Sequence, residues 1–335
     1  FKNEVVGFIT NGEGNYAIGK LKDSSTKHII YKDSNLRTAQ EFICETPDDD
    51  TSYSVEQLTY DSSNRLAGGT VEVYVEAGQS VLNSFAGNMT LTTNFLNGVF
   101  GQSYALYANE GILMQTSSMF IWTTPDPYTF NSSGQQLSAF QSQTGAFQGD
   151  IGHLVEVQNI GGIAAGFSGL CNQNTDNSLC FSGFSGNTFS NIPTVSFNVF
   201  LITHEMGHLL GSRHTHACVW NGDNTAIDGC AGYTEGACAL PGSPAGGGTI
   251  MSYCINTVGL DFTQGFGPQP GAVILNNVNN ANCVTTPCTG PEITCPEDTG
   301  VPCGANTGPA NTGTAVATAD AGCGQVTVSF LDVIT

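Results

Sequence analysis

The chain has 335 residues, a formal charge of −20, 42 glycines and 11% charged residues. It holds no apolar run of the ~18 residues that a membrane helix needs, so it reads as a loop-rich globular protein without membrane insertion. The negative field excludes nucleic acid and anionic membrane as partners, and twelve cysteines without paired CxxC spacing point to disulfides made in an oxidising compartment.

Basic residues are unevenly placed. All five lysines lie at or before Lys32, and beyond Arg65 the remaining Lys or Arg is Arg213. That shift marks the N-terminal stretch as a separate piece. With no initiator Met and no signal peptide, the chain is expected to be a processed piece of a longer secreted precursor.

In chain order, residues 1 to about 35 read as short strands around a Gly/Asn turn. "TPDDDTS" (46–52) reads as a polar linker. "GGTVEVYVEAG" (68–78) alternates Val71, Val73 and Val75 with Glu72, Tyr74 and Glu76, the pattern of a half-buried strand. Residues 81–107 are spaced as one long helix, 111–124 return to strand, and 132–145 read as a short helix with a capping Ser. "HLVEVQN" and "GGIAAGFSG" are strand candidates. Residues 196–211 form a helix closed by Gly211, 212–268 are irregular, and 270–283 form a last helix with Pro270 near its start. After Cys283 short Thr/Val runs between Pro/Gly turns suggest an all-β module, and "VTVSFLDVIT" at the end reads as an unfinished strand. Strands mixed with helices and followed by a β-only tail define an α/β class with a partial all-β segment.

"ITHEMGHLLGSRHTHAC" (202–218) holds four of the six histidines. His204 and His208, four apart, share one helix face and can grip one zinc ion. Glu205 stands beside the metal without having to bind it, the H-E-x-x-H arrangement. Gly211 lets the chain reverse and bring His214 back as a third nitrogen ligand, leaving a fourth position for water. His216 is either a partner behind the ligands or a surface residue. Forty-seven residues after His204 comes Met251, within "GGGTIMSYC" (246–254).

HExxHxxGxxH followed by this methionine turn resembles the metzincin zinc metalloproteases, and "TIMSYC" with its surrounding cysteines is most similar to a bacterial branch related to the adamalysins and reprolysins. The resemblance covers about residues 55 to 285. A chance HExxHxxGxxH in such a chain has odds on the order of 10⁻⁵. The resemblance implies a twisted mixed sheet with an active-site helix and an irregular C-terminal subdomain, with Met251 as an apolar floor. It places the substrate beside an edge strand at Gly162, Ile163, Ala164 and Ala165. It makes Glu205 the general base of zinc-dependent peptide hydrolysis. Tyr253, at a spacing where some relatives bring a Tyr to the zinc, is either an oxyanion donor or a packed turn residue. Thr215 departs from the Asp or Glu that many relatives carry after the third ligand.

The first 50 residues resemble the end of a pro-segment, in which Cys44 either caps the zinc and holds the enzyme latent or joins an ordinary disulfide. Cys171 with Cys180, and Cys230 with Cys238, are close enough in sequence to pair. The loops 221–229 and "TPDDDT" are either calcium sites or solvated loops. The tail resembles the opening of an immunoglobulin-like repeat of the HYR kind, found in bacterial surface proteins. Partition is expected at 1–52 (pro-segment and linker), 53–287 (catalytic domain) and 288–335 (β module). The expected function is a secreted zinc endopeptidase acting on proteins or peptides. A secretion apparatus or the cell surface is expected to engage the C-terminal modules. The alternative is a surface adhesin with a vestigial or latent protease domain.

Overall fold

The computed structural model describes residues 69–184 and 195–284 without a break, with 5, 7–11, 13–20, 26–32, 35, 41–49, 51–59 and most of 292–318. These fall into two compact units, Phe1–Thr285 and Thr286–Thr335.

The first unit opens with an antiparallel sheet of β1 (Gly7–Asn11), β2 (Gly14–Lys20) and β3 (His28–Lys32). The alternating valines build β4 (Thr70–Ala77), in which Val71, Val73 and Val75 are all buried. The helix expected over 81–107 is two helices, α1 (Gln79–Ser84) and α2 (Met89–Asn109). Ala86 and Gly87 have φ of 53° and 77°, which no α-helix accommodates, and the Asn88 side chain then caps α2 by accepting from Leu91 N at 3.1 Å. There follow β5 (Leu113–Ile121), α3 (Ser133–Gln143), β6 (Ile151–Glu156), β7 (Gly161–Ala164) and β8 (Leu179–Gly183). α4 (Val195–Leu209) and α5 (Pro268–Asn280) complete the unit.

The main sheet has the order β5-β4-β6-β8-β7, parallel except for the antiparallel edge strand β7. β8 escapes the sequence pattern because all five of its residues are buried. A strand covered on both faces shows no alternation. α2 and α4 pack together, and a large apolar cluster joins them to β4, β6 and the 250–278 segment. A smaller cluster under α3 unites Leu137, Phe140, Leu154, Ile163, Leu179 and Phe181.

Residues 212–267 lack α-helix and strand, as expected of this irregular stretch, and carry two of the three disulfides found among the described residues, Cys218–Cys238 and Cys230–Cys254; the third is Cys171–Cys283. The pairings open from sequence, Cys171–Cys180 and Cys230–Cys238, are therefore not the ones formed. Cys180 lies on β8 with its thiol buried against His153 Nδ1 at 3.2 Å, while Cys171 sits in a surface turn at φ 56°. The "linker" 46–52 begins inside an extended segment in which Phe42, Cys44 and Thr46 are buried and Glu41, Ile43, Glu45 and Pro47 exposed.

The second unit contains, among its described residues, β9 (Glu292–Thr294) paired antiparallel with β10 (Val316–Thr318), and between them α6 (Pro309–Thr312). The strand pattern read at 326–335 lies outside the described residues. No described helix is long and apolar enough to cross a membrane.

At the end of β6, Glu156 supports the start of α1: Ser80 Oγ donates to its carboxylate, which fills the space a Cβ on Gly78 would need. Burial, opposed by the Ser80 bond and reinforced by Asp126 and Glu76, pushes its pKa up to about 8 from 4.5. The folded chain keeps a proton that the unfolded chain loses, so stability should fall as pH rises between those values. Glu156→Gln stays neutral throughout and should flatten this decline. Urea denaturation from about pH 5 to about pH 8 checks it; equal slopes for both proteins would place the effect elsewhere.

Candidate metal centre

α4 presents His204 and His208 one turn apart. Gly211, at φ 111°, reverses the chain where a Cβ would collide with the Asn277 amide, and His214 returns to the pair. His208 Nε2 lies 3.0 Å from His204 Nε2 and 3.1 Å from His214 Nε2. Each outer nitrogen faces an acceptor. His204 Nδ1 donates to the Ile250 carbonyl at 2.7 Å and His208 Nδ1 to the Ser212 carbonyl at 2.7 Å. His214 Nδ1 donates to both Glu235 oxygens, at 2.8 and 3.1 Å. A carbonyl or carboxylate can only accept, so the proton is on Nδ1 and every Nε2 turns a lone pair inward.

All three imidazoles are fully buried, and burial holds their pKa values below the usual histidine range, aided by the neighbouring imidazoles. Glu205 is also fully buried; burial raises its pKa, opposed by Cys44 and Thr46. Its Oε1 has no hydrogen-bond partner. Three convergent lone pairs beside a buried carboxylate are what a divalent cation needs, and repel one another without it. The donor set fits zinc, with three imidazole nitrogens and the Cys44 sulfur 3.5 Å from His208 Nε2.

Cys44 is a free thiol, not a disulfide partner. Burial and then the Glu205 charge push its pKa up. Its Sγ lies 3.4 Å from Glu205 Oε2 and 3.2 Å from Thr46 Oγ1. The strap 41–49 lies along β7. Glu45 N donates to Gly162 O at 2.9 Å, Gly162 N to Ile43 O at 3.0 Å, and Ala164 N to Thr46 Oγ1 at 2.7 Å. Of the four edge-strand residues named from sequence, Gly162, Ile163 and Ala164 lie in β7; Ala165 follows it and donates to Leu179 O at 3.0 Å. Gly161, at φ 77°, and Gly162 lack the Cβ that would strike Ile43 O and the Glu205 carboxylate respectively. The strap and the catalytic-looking carboxylate both come this close because glycine occupies both places.

Tyr253 Oη donates to Cys44 O at 2.8 Å and accepts from Cys44 N at 3.2 Å. Phe42 packs edge-on against Phe200, His204 and Tyr253 with ring centroids 4.7, 4.8 and 5.0 Å apart. The Asn256 amide pairs with both polar groups of the Phe42 backbone, at 2.8 and 2.9 Å. Arg213 pairs with Asp49 and with Asp48, whose carboxylate is 3.3 Å from Nε, between the rings of Tyr53 and Phe167.

Met251 is fully buried, and a Cβ on Gly207 of α4 would meet its sulfur at 2.8 Å. Thr215 donates from its N–H to Met251 O at 3.1 Å, which ties the third histidine to the methionine turn. His216 is fully buried, not on the surface, and stacks on His214 at 4.9 Å and 13°. In the loop 221–229 Asp223 takes the Thr225 hydroxyl and Asp228 takes Cys230 N. Sequence reading missed Thr46, Glu235 and Asn256, which have no fixed offset from the histidine motif, and Arg213, which occupies one of the motif's unspecified positions.

This geometry gathers three buried histidines and an adjacent carboxylate into a group that could hold a metal ion, the class of site that metal-dependent hydrolases use. A sequence model described as Metallo-peptidase family M12 matches residues 67–263, and the chain belongs to that family. A metallopeptidase family implies a metal, typically zinc. Similar solved structures include a chaperone–substrate complex, 14% identical with a TM-score of 0.33, covering 44% of this chain and 24% of that one. Another is metalloproteinase-II from Bacteroides fragilis, 11% identical with a TM-score of 0.39, covering 68% of this chain and 73% of that one. The chain thus spans about a quarter of the length of the first. No curated protein matches.

Met251→Ala would leave a cavity next to Gly207. It is expected to cost about 2–5 kcal/mol of stability, read as a lower denaturation midpoint with an unchanged m-value.

Proposed function

We propose that the chain is a zinc-dependent endopeptidase in a latent form, acting outside the cell, with Glu205 as general base. The observation that carries this is the convergence of three Nε2 atoms beside the unpartnered Glu205 Oε1. His204, His208 and His214 would hold zinc, with the Cys44 thiolate as fourth donor while the strap is in place. Bound there, zinc supplies a Lewis acid that makes water nucleophilic near neutral pH.

Glu205 accepts the proton of the attacking water and returns it to the departing amine. β7 holds the peptide extended through the main-chain groups of Gly162 and Ala164, which the strap now uses. The Tyr253 hydroxyl, which now donates to a strap carbonyl, donates to the peptide carbonyl oxygen as its charge develops. Phe42 marks an apolar pocket for a substrate side chain. Residues 1–52 act as the pro-segment and 288–335 as the start of an immunoglobulin-like module. Three disulfides among the described residues support an oxidising, extracellular setting.

Zinc analysis and cleavage of a peptide library test this directly. Glu205→Gln should keep the metal and lower kcat by about 10²–10⁴; retained turnover refutes the assigned base. Cys44→Ser in the full chain should raise basal cleavage by about tenfold or more, equivalent to about 1.4 kcal/mol. An unchanged rate would remove Cys44 from the account of latency.

A further inference from the structure

We propose that Glu235 is a positioning residue for the metal, fixing His214 as a ligand through its carboxylate. The inference rests on the reading of the centre as a zinc site.

The three imidazoles are not anchored alike. His204 and His208 give their outer N–H to neutral peptide carbonyls. His214 alone of the three gives its own to a carboxylate, sharing it between Oε1 and Oε2. Oε1 also lies 3.4 Å from His216 Nε2, and Glu235 is largely buried, its side chain 17% exposed. His216 stacks almost parallel to His214 and is itself wedged by the ring edges of Tyr233 and Tyr253 at 5.2 and 4.7 Å. The plane of His214 is therefore set by a stacked ring on its face and a carboxylate at its edge.

Glu235 is in turn built into place. Its N–H donates to His216 O at 3.1 Å and its carbonyl accepts from Cys218 N at 2.7 Å, so both sides of the residue are tied to the segment that follows His214. Gly236 turns away at φ 99°, where a Cβ would press on Cys218 at 3.0 Å, and the Cys218–Cys238 disulfide closes the loop. The loop itself contains neither α-helix nor strand. Its ordering delivers one carboxylate to one imidazole. Such a carboxylate fixes the tautomer and ring orientation and makes the inner nitrogen a stronger donor; its loss typically lowers metal affinity 10–100-fold.

The test measures zinc dissociation constants of the full chain by competition with a chromophoric chelator, with thermal unfolding of the metal-free proteins alongside. Glu235→Gln keeps the shape and an acceptor oxygen but removes the charge. It should weaken zinc binding by about 10–100-fold and leave the metal-free unfolding temperature where it was, while Asp223→Asn, an exposed acid nearby, should change neither. Equal affinity of Glu235→Gln and the parent overturns the inference. So does a fall in metal-free unfolding temperature that accounts for the loss, which would make the residue structural. A parent chain that binds no zinc overturns the reading of the centre and this inference with it.

Discussion

The Nε2 atoms of His204 and His214 stand 3.0 and 3.1 Å from His208 Nε2 in a buried site, each with its lone pair turned inward. Unaided, that arrangement is repulsive, and rings free to turn would leave it. It persists because each outer nitrogen is already committed to an acceptor. Those acceptors come from three parts of the chain: Ile250 beside the methionine turn, Ser212 in the reversal after α4, and Glu235 in a disulfide-closed loop. The fold therefore converges on the site from the outside of the rings. All three acceptors lie in the irregular 212–267 segment, which contains neither α-helix nor strand.

The strap 41–49 meets the same site from the opposite side. An extended chain repeats every two residues, so Phe42, Cys44 and Thr46 all point inward, into the aromatic pocket, toward the histidines and toward Glu205. Its main-chain bonds to Gly162 contribute about 1 kcal/mol each and are indifferent to sequence. The side chains set the register: Phe42 by burial, held by Asn256, and Asp48 and Asp49 through Arg213. A one-residue slip would expose Phe42 and withdraw the sulfur. The strap is tethered to the site it fills, so even modest contacts suffice to keep it there.

Much of this was legible in the residues. The histidine spacing, Gly211 and the Val71–Val75 alternation have local causes, namely helix pitch, positive φ and pleat, and each is where the pattern put it. Four features had no local signal. β8 is buried on both faces, so "LCFSG" shows no period. The helix over 81–107 breaks because Ala86 adopts a positive φ that alanine does not advertise. The disulfides follow from which thiols the fold brings together; Cys180 is nine residues from Cys171 but its thiol lies against His153 in the core. Glu235 is the clearest case, since nothing in "GYTEGAC" announces that a carboxylate 21 residues after His214 will reach its ring.

The two halves of the centre owe their rigidity to different chemistry. Glu205, His204 and His208 ride on a helix packed against the sheet, and their placement is complete once the core has condensed. His214, Glu235 and the turn through Tyr253 hang on loops whose fixed points are the sulfur–sulfur links Cys218–Cys238 and Cys230–Cys254. Before oxidation those loops lack both covalent links, while the helical pair keeps its packing. The sulfur–sulfur bonds therefore bear on the third imidazole and its carboxylate far more than on His204 and His208.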